Sequence, residues 1–190
     1  FHVMGTPAVN RSWADLASAS GGGIGAEVDF ASPGPTYPFG SHVAVVEVDT
    51  ETGKVTLERM VAVDDAGRVI NPMLVEGQVH GGLAQGVAQA LLEEVRYDGD
   101  GNPVTSNLAD YAFISATELP SFESIRMETP TPLNELGAKG IGESGTIGST
   151  PAVHNAVVDA LSFLGVRHLD MPTSPERVWR AIADARGGSR

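Results

Sequence analysis

One segment near the middle of the chain constrains the fold more than any other. Between residues 75 and 91 an apolar side chain recurs at every fourth position, which is the spacing of one face of an α-helix. These positions are Val75, Val79, Leu83, Val87 and Leu91. Asn71 and Pro72 mark where such a helix begins. The sequence therefore predicts a long helix that opens at residue 71 and buries one apolar ridge.

The same segment is unusually rich in glycine. It carries Gly77, Gly81, Gly82 and Gly86, and each glycine inside a helix costs about 1 kcal/mol relative to alanine. The usual reason to keep such residues is a backbone that something must approach closely. We therefore expect a close neighbour along this part of the helix.

The flanking segments predict hairpins followed by helices. Residues 43–48 and 55–63 are rich in β-forming residues and enclose a turn, so they predict a hairpin. A short helix at 10–20, a strand at 24–30, a second hairpin at 95–105 and a strand at 122–128 are also expected. Helices are predicted from Ser149, Thr150 and Pro151, and from 173–176, where a capping pattern precedes Val178 and Ile182. This order predicts an α+β fold in two layers, with helices packed on one face of a mixed or antiparallel sheet.

Composition excludes several classes of function. The formal net charge is −12 and the sequence pI is about 4.7. A protein with this negative charge repels phosphate backbones, so we expect no nucleic-acid partner. The sequence has no cysteine, which excludes disulfides and thiolate ligation of iron–sulfur clusters within it. No apolar run reaches the roughly 20 residues of a membrane helix. None of the five histidines shows ligand spacing with another, so we predict structural or surface roles for them and no metal ligand.

Two places could carry chemistry. The glycine-rich loop 137–148 leads into a helix, and its backbone N–H groups suit an anionic or oxo-rich ligand. Glu143 lies within it and is either a general base in a partly desolvated loop or an ordinary solvent-exposed glutamate. Gln78 either offers its amide to a polar ligand or faces water on a helix that packs through its glycines.

Two motifs together resemble one family. They are NPMLVEGQVHGGLAQG at 71–86 and GAKGIGE at 137–143, the second continuing to Pro151 and to NAVVDA at 155–160. In order and separation they resemble the second molybdopterin-binding domain of molybdenum hydroxylase large subunits, the family of xanthine oxidase, aldehyde oxidase and aerobic carbon monoxide dehydrogenase. The amino-acid sequence of residues 75–82 is most similar to that of the carbon monoxide dehydrogenase-like bacterial branch. The resemblance to the family extends from about residue 41 to residue 183.

The resemblance implies roles for four residues. Glu143 would be the general base beside the molybdenum in an oxidative hydroxylation, and Gln78 would lie against the cofactor. The backbone at Gly140 and Gly142 would approach the pterin or the ligands of the metal. The implied substrate is an aldehyde, an N-heterocycle or carbon monoxide.

The resemblance also implies the cofactors and the partner subunits of the chain. It implies a molybdenum cofactor, in its cytosine dinucleotide form, with iron–sulfur clusters and FAD on other subunits or domains, in a cytoplasmic homo-oligomeric assembly. We expect residues 1–40 to continue from an upstream part of the large subunit, 41–186 to form the molybdopterin-binding domain and 187–190 to be a tail. Since the chain would supply only part of one site, we expect it to bind no cofactor and to be inactive alone. A non-catalytic assembly module that keeps the fold is the alternative.

Overall fold

A computed structural model describes residues 1–187, so residues 188–190 of the expected tail lie outside the described residues. The chain divides into two compact units, residues 1–32 and the remainder from residue 33. In the first unit, strands β1 (His2–Val3) and β2 (Thr6–Asn10) pair antiparallel and precede helix α1 (Trp13–Ala19). The predicted short helix is confirmed, and Ser12 and Asp15 form a reciprocal capping box at its start.

The strand predicted at 24–30 is wrong. These residues form no strand and all are exposed. A strand needs a partner for its backbone N–H and C=O groups, and no described strand pairs with this segment. The weak alternation of side chains there was not a signal of burial.

The second unit is built on a three-stranded mixed sheet. Strands β3 (Phe39–Val48) and β4 (Val55–Asp65) form the predicted antiparallel hairpin. Strand β5 (Glu123–Met127), also predicted, pairs parallel to β4, giving the order β3-β4-β5. The second predicted hairpin is short: Tyr97 and Pro103 form an antiparallel bridge, and backbone hydrogen bonds join Val104 to Arg96 and Asp98 to Asn102.

Three long helices complete this unit. They are α2 (Pro72–Leu91), α3 (Ser144–Ala160) and α4 (Pro175–Gly187). Helices α2 and α4 are confirmed, with Asn71 capping the backbone N–H of Leu74 and with Val178 and Ile182 buried. The predicted start of α3 at Ser149 is wrong: the helix begins at Ser144 and Pro151 lies inside it. The packing of its first turn against α2 sustains the helix through residues whose local propensity for helix is poor.

The core lies between the sheet and these helices. Helix α3 packs across β3 and β4, and α2 packs against α3. Most of the largest fully buried side chains come from β4, α2, α3 and α4, and include Met60, Leu83, Val153, Val157 and Ile182. Val43 and Val45 on β3 point to the other face of the sheet and are exposed. The predicted α+β fold, with helices on one face of a mixed sheet, is confirmed.

No helix within residues 1–187 combines the length and the apolar character needed to cross a bilayer.

Candidate functional site

The glycines of α2 divide into two groups with different surroundings. A Cβ atom built on Gly82 would lie 3.0 Å from the Cα of Gly145, and one on Gly86 would lie 2.9 Å from the backbone nitrogen of Thr150. A Cβ atom on Gly77 or Gly81 would meet no heavy atom within 4 Å. Thus Gly82 and Gly86 allow α3 to approach α2, whereas Gly77 and Gly81 border open space.

The close helix contact brings the residues of the two sequence motifs together. Gln78 lies one turn before Gly82 on α2, and its Oε1 would be 3.7 Å from a Cβ atom on Gly142. Glu143 follows Gly142 and is the N-cap residue of α3. Gly140 has open space around it, because a Cβ atom there would meet no heavy atom within 4 Å. Gln78, Gly142 and Glu143 therefore form one exposed cluster beside an open glycine surface.

The N-terminus of α3 is not closed by a side chain. Glu143 has backbone angles φ −114° and ψ −7° and makes no side-chain capping hydrogen bond. The free N–H groups of a first helical turn carry partial positive charge. Within residues 1–187, the carboxylate of Glu143 makes no hydrogen bond or ion pair, and its side chain is exposed. The cluster thus combines a free carboxylate, an amide and the N-terminal end of a helix, where the backbone N–H of Ser144 donates to the carbonyl of Ile141 at 3.3 Å.

The first part of the glycine-rich loop is tied to the end of β4. The backbone N–H of Lys139 donates to the carbonyl of Ala66 at 2.8 Å, and that of Arg68 donates to the carbonyl of Gly137 at 2.9 Å. Gly67 and Gly137 have φ of +65° and +69°, a region that favours glycine. This pairing fixes the loop just before Gly140 and Glu143.

A buried ion pair strengthens the same attachment. Lys139 Nζ lies 3.0 Å from Asp65 Oδ1, with side-chain exposures of 8% and 0%. Burial opposes the charged form of Asp65, but the hydrogen bonds that it accepts and the charge of Lys139 outweigh that effect and hold its pKa below the ordinary value. The pair therefore anchors the loop that leads to Glu143.

Sequence reasoning missed this pair and a second one beneath α3. His42 on β3 and Asp64 on β4 are buried against each other, with side-chain exposures of 2% and 5%. The expected structural role of His42 fits its burial, but its partner was not foreseen. The alternation of β3 could have placed His42 inside, because Ala44 and Val46 on the same face are also inward-facing.

The two groups of glycines predict opposite effects of alanine. We expect Gly81→Ala to raise the free energy of unfolding by about 0.5–1 kcal/mol, because it removes backbone freedom and meets open space. We expect Gly86→Ala to lower it by about 1–3 kcal/mol, because the new methyl group overpacks against α3. Urea denaturation of both variants measures the difference. Equal stability of the two would contradict the assigned helix contact.

Comparisons with known proteins identify the family of the chain. A family model described as the molybdopterin cofactor-binding domain matches residues 2–120, which is more than half of the chain. The chain belongs to the molybdopterin cofactor-binding domain family. The match includes the α2 motif with Gln78 and ends before Glu143, which lies in the part of the chain covered by longer alignments to individual relatives.

Those relatives are named as the large chain or the large subunit of an enzyme. The domain is 39% identical to the carbon monoxide dehydrogenase large chain of Hydrogenophaga pseudoflava, over 97% of this chain and 24% of the relative. It is 42% identical to the nicotine 6-hydroxylase large subunit of Paenarthrobacter nicotinovorans, over 80% of this chain and 19% of the relative. A solved Cu,Mo-CO dehydrogenase matches with a TM-score of 0.89 and 38% identity, over 98% of this chain and 24% of that one. The resemblance to the carbon monoxide dehydrogenase-like branch is confirmed, and the chain spans between about a fifth and a quarter of the length of these relatives.

Proposed function

We propose that this molybdopterin cofactor-binding domain is the C-terminal part of a molybdenum hydroxylase large subunit. It would contribute the general base Glu143 and one wall of the molybdenum cofactor site. The observation that carries the proposal is the juxtaposition of Gln78 with Gly142 and Glu143 across the α2–α3 contact. Two motifs that are far apart in the sequence thereby form one cluster in a member of this family.

The residues present fit such a cofactor. Gly77, Gly81 and Gly140 leave room on the surface beside Gln78, so a ligand can approach the backbone there. The Gln78 amide offers two donors and one acceptor, and the uncapped first turn of α3 favours negative charge. These features match the polar, anionic groups of a molybdopterin. When bound, the molybdenum cofactor supplies the redox chemistry, and the protein supplies position and proton transfer.

Glu143 is suited to proton transfer by its surroundings. Because no described residue holds its carboxylate in a hydrogen bond or an ion pair, both oxygens are free to accept a proton. The anchor at Lys139 restrains the loop on one side, and helix α3 restrains it on the other. A general base must be held within hydrogen-bond reach of the proton that it removes, and this double restraint serves that purpose.

As part of the same proposal, we infer the activity, cofactors and partner subunits of the complete enzyme from its family. It would hydroxylate an aldehyde, an N-heterocycle or carbon monoxide, since relatives include a carbon monoxide dehydrogenase and a nicotine hydroxylase. The cofactor would be the cytosine dinucleotide form. Iron–sulfur and flavin subunits would carry the electrons away in a cytoplasmic homo-oligomeric assembly. The upstream part of the large subunit would close the open side of the site.

Metal analysis tests the proposal directly. We expect the isolated chain to contain no molybdenum, because the cluster of Gln78, Gly142 and Glu143 lies on an open surface and a ligand held on one side stays solvated. We expect stoichiometric molybdenum once the chain is coexpressed with the upstream part of the large subunit. Elemental mass spectrometry of both preparations measures this. Molybdenum absent from the assembled protein would favour the alternative, a non-catalytic assembly module.

A further inference from the structure

The first turn of α3 lies directly on the backbone of α2. Gly145 is buried in this contact, and a Cβ atom on it would lie 2.7 Å from the carbonyl oxygen of Val79 and 2.9 Å from the backbone nitrogen of Leu83. No side chain therefore fits between the two helices at this point. Since Gly145 follows Glu143 by two residues, the contact determines how far the turn that carries Glu143 lies from α2.

The separation of the two helices is fixed by this contact, but their position along each other is not. Helices that pack through side chains interlock, because the ridges of one fit the grooves of the other. Gly82 and Gly145 meet without side chains, and the van der Waals attraction between two backbones has little directional preference. A directional contact is therefore needed to stop the first turn of α3 from sliding along α2.

Thr146 supplies such a directional contact. Its Oγ1 donates to the backbone carbonyl of Gly82 at 3.1 Å and lies 3.4 Å from Oε1 of Gln85. A hydroxyl has one hydrogen to donate, and the shorter contact assigns that hydrogen to Gly82. Because hydrogen bonds weaken steeply when they are misaligned, this bond holds the first turn of α3 at one register on the backbone of α2.

Glu143 belongs to the same helical turn as Thr146. The backbone N–H of Ile147 donates to the carbonyl of Glu143 at 3.0 Å, which closes this turn. On α2, Gln78 lies one turn before Gly82. The hydrogen bond from Thr146 to Gly82 thus connects the turn that carries Glu143 with the helix that carries Gln78. Movement of one helix along the other would change the separation of Glu143 from Gln78.

We propose that Thr146 is a positioning residue for Glu143, and that its hydrogen bond to Gly82 holds the carboxylate of Glu143 in place beside Gln78. The inference rests on the proposed function of Glu143 as a general base. Thr146 acts through the backbone of the first turn and not on the substrate. Catalytic groups must be held within about 0.5 Å of their productive geometry, and a misplacement of about 1 Å costs up to about 10²-fold in rate.

Thr150 provides a matched control on the same helix. It lies one turn after Thr146 and is half-buried, as Thr146 is. Its Oγ1 lies 3.1 Å from the carbonyl of Thr146 within α3 and 3.2 Å from the side-chain Oε1 of Gln89, so neither contact reaches the backbone of α2. Thr146→Val and Thr150→Val therefore remove the same hydroxyl in two different surroundings, and Thr146→Ser keeps the hydroxyl.

The experiment compares these variants in the assembled large subunit with its partners, at matched molybdenum content. We expect Thr146→Val to lower kcat by about 10-fold to 10²-fold with little change in KM, because a misplaced base weakens stabilisation of the transition state and not substrate binding. Thr146→Ser should restore kcat, and Thr150→Val should leave it unchanged. In enzyme that already carries Glu143→Gln, Thr146→Val should cause no further loss, because it acts through Glu143. Crystal structures should show the hydrogen bond to Gly82 in the native enzyme and a changed separation of Glu143 from Gln78 in Thr146→Val.

A purely structural role for Thr146 would give a different pattern. Thr146→Val would then lower kcat by the same factor with and without Glu143→Gln, and that result overturns the proposal. Equal kcat for Thr146→Val and Thr150→Val overturns it as well. So does a native crystal structure in which Thr146 Oγ1 lies beyond hydrogen-bond distance of the Gly82 carbonyl, a test that requires no variant to fold. Failure of the proposed function is a separate result, because it would appear as normal turnover of Glu143→Gln alone.

Discussion

Replacing Glu143 by glutamine should abolish most turnover of the assembled enzyme while leaving its structure and molybdenum content intact. Glutamine keeps the size and the exposed position of the side chain, so α3 and the contact with α2 should not change. It cannot accept a proton at neutral pH. Loss of a general base costs roughly 10²–10⁴-fold in rate, and steady-state kinetics at matched molybdenum content measures this loss.

Glu135 is the matched control for this substitution. It lies a few residues earlier, is also exposed and belongs to the segment that leads into the same loop. We expect Glu135→Gln to retain normal turnover, because the carboxylate that matters is the one beside Gln78 and Gly142. A Glu143→Gln enzyme with full molybdenum and near-normal turnover would refute the assignment of the general base.

The second large effect concerns Lys139. We expect Lys139→Met to lower the free energy of unfolding by about 3–5 kcal/mol, because it leaves the carboxylate of Asp65 buried without its cation. Both side chains are almost fully buried, with their charged atoms 3.0 Å apart. Chemical denaturation at neutral pH measures the loss.

The exposed pair of Arg59 and Glu123 provides the control. Its side chains are 59% and 49% exposed, so Arg59→Met should cost only about 0.2–1 kcal/mol. Adding Asp65→Asn to Lys139→Met should recover much of the loss, because asparagine keeps an oxygen acceptor for the backbone N–H of Gly67. A cost for Lys139→Met no larger than that for Arg59→Met would contradict the buried anchor.

The dependence on pH gives an independent check of the same pair. The folded-state pKa of Asp65 lies below its ordinary value, so its stabilising contribution is present above the pKa of an unfolded aspartate, about 3.9. It is lost as the pH falls through the lower folded-state value. The stability difference between the native chain and Lys139→Met should therefore shrink on acidification, since a protonated Asp65 needs no cation.

The sequence was most informative where local signals and burial agree. Helix α2 was predictable because its apolar ridge, the Asn71 cap and Pro72 all indicate the same element. The β3–β4 hairpin was predictable because two β-rich runs enclose a turn built on Asp49, whose carboxylate accepts the backbone N–H of Glu51. The proximity of Gln78 to Glu143 followed from the resemblance to a family and not from spacing, because the apolar and glycine pattern of a helix does not indicate which other segment packs against it.

The sequence was least informative where tertiary contacts override local preference. The first turns of α3 contain Gly145 and Gly148, which are poor helix formers, and the proline signal at Pro151 placed the start too late. The pairs Lys139–Asp65 and His42–Asp64 join residues that are 74 and 22 positions apart. Only the register of the sheet and the path of the loop bring them together.

The parallel pairing of β4 with β5 has a consequence for how the domain folds. The hairpin of β3 and β4 closes over a short turn, whereas Val61 pairs with Glu123, and the intervening chain contains the whole of α2. Closing so long a loop costs conformational entropy before any ladder bond forms. We therefore expect the β3–β4 hairpin to form first. We expect the docking of β5 and the contact of α2 with the N-terminus of α3 to follow it, because Gly82 and Thr146 close a loop of similar length.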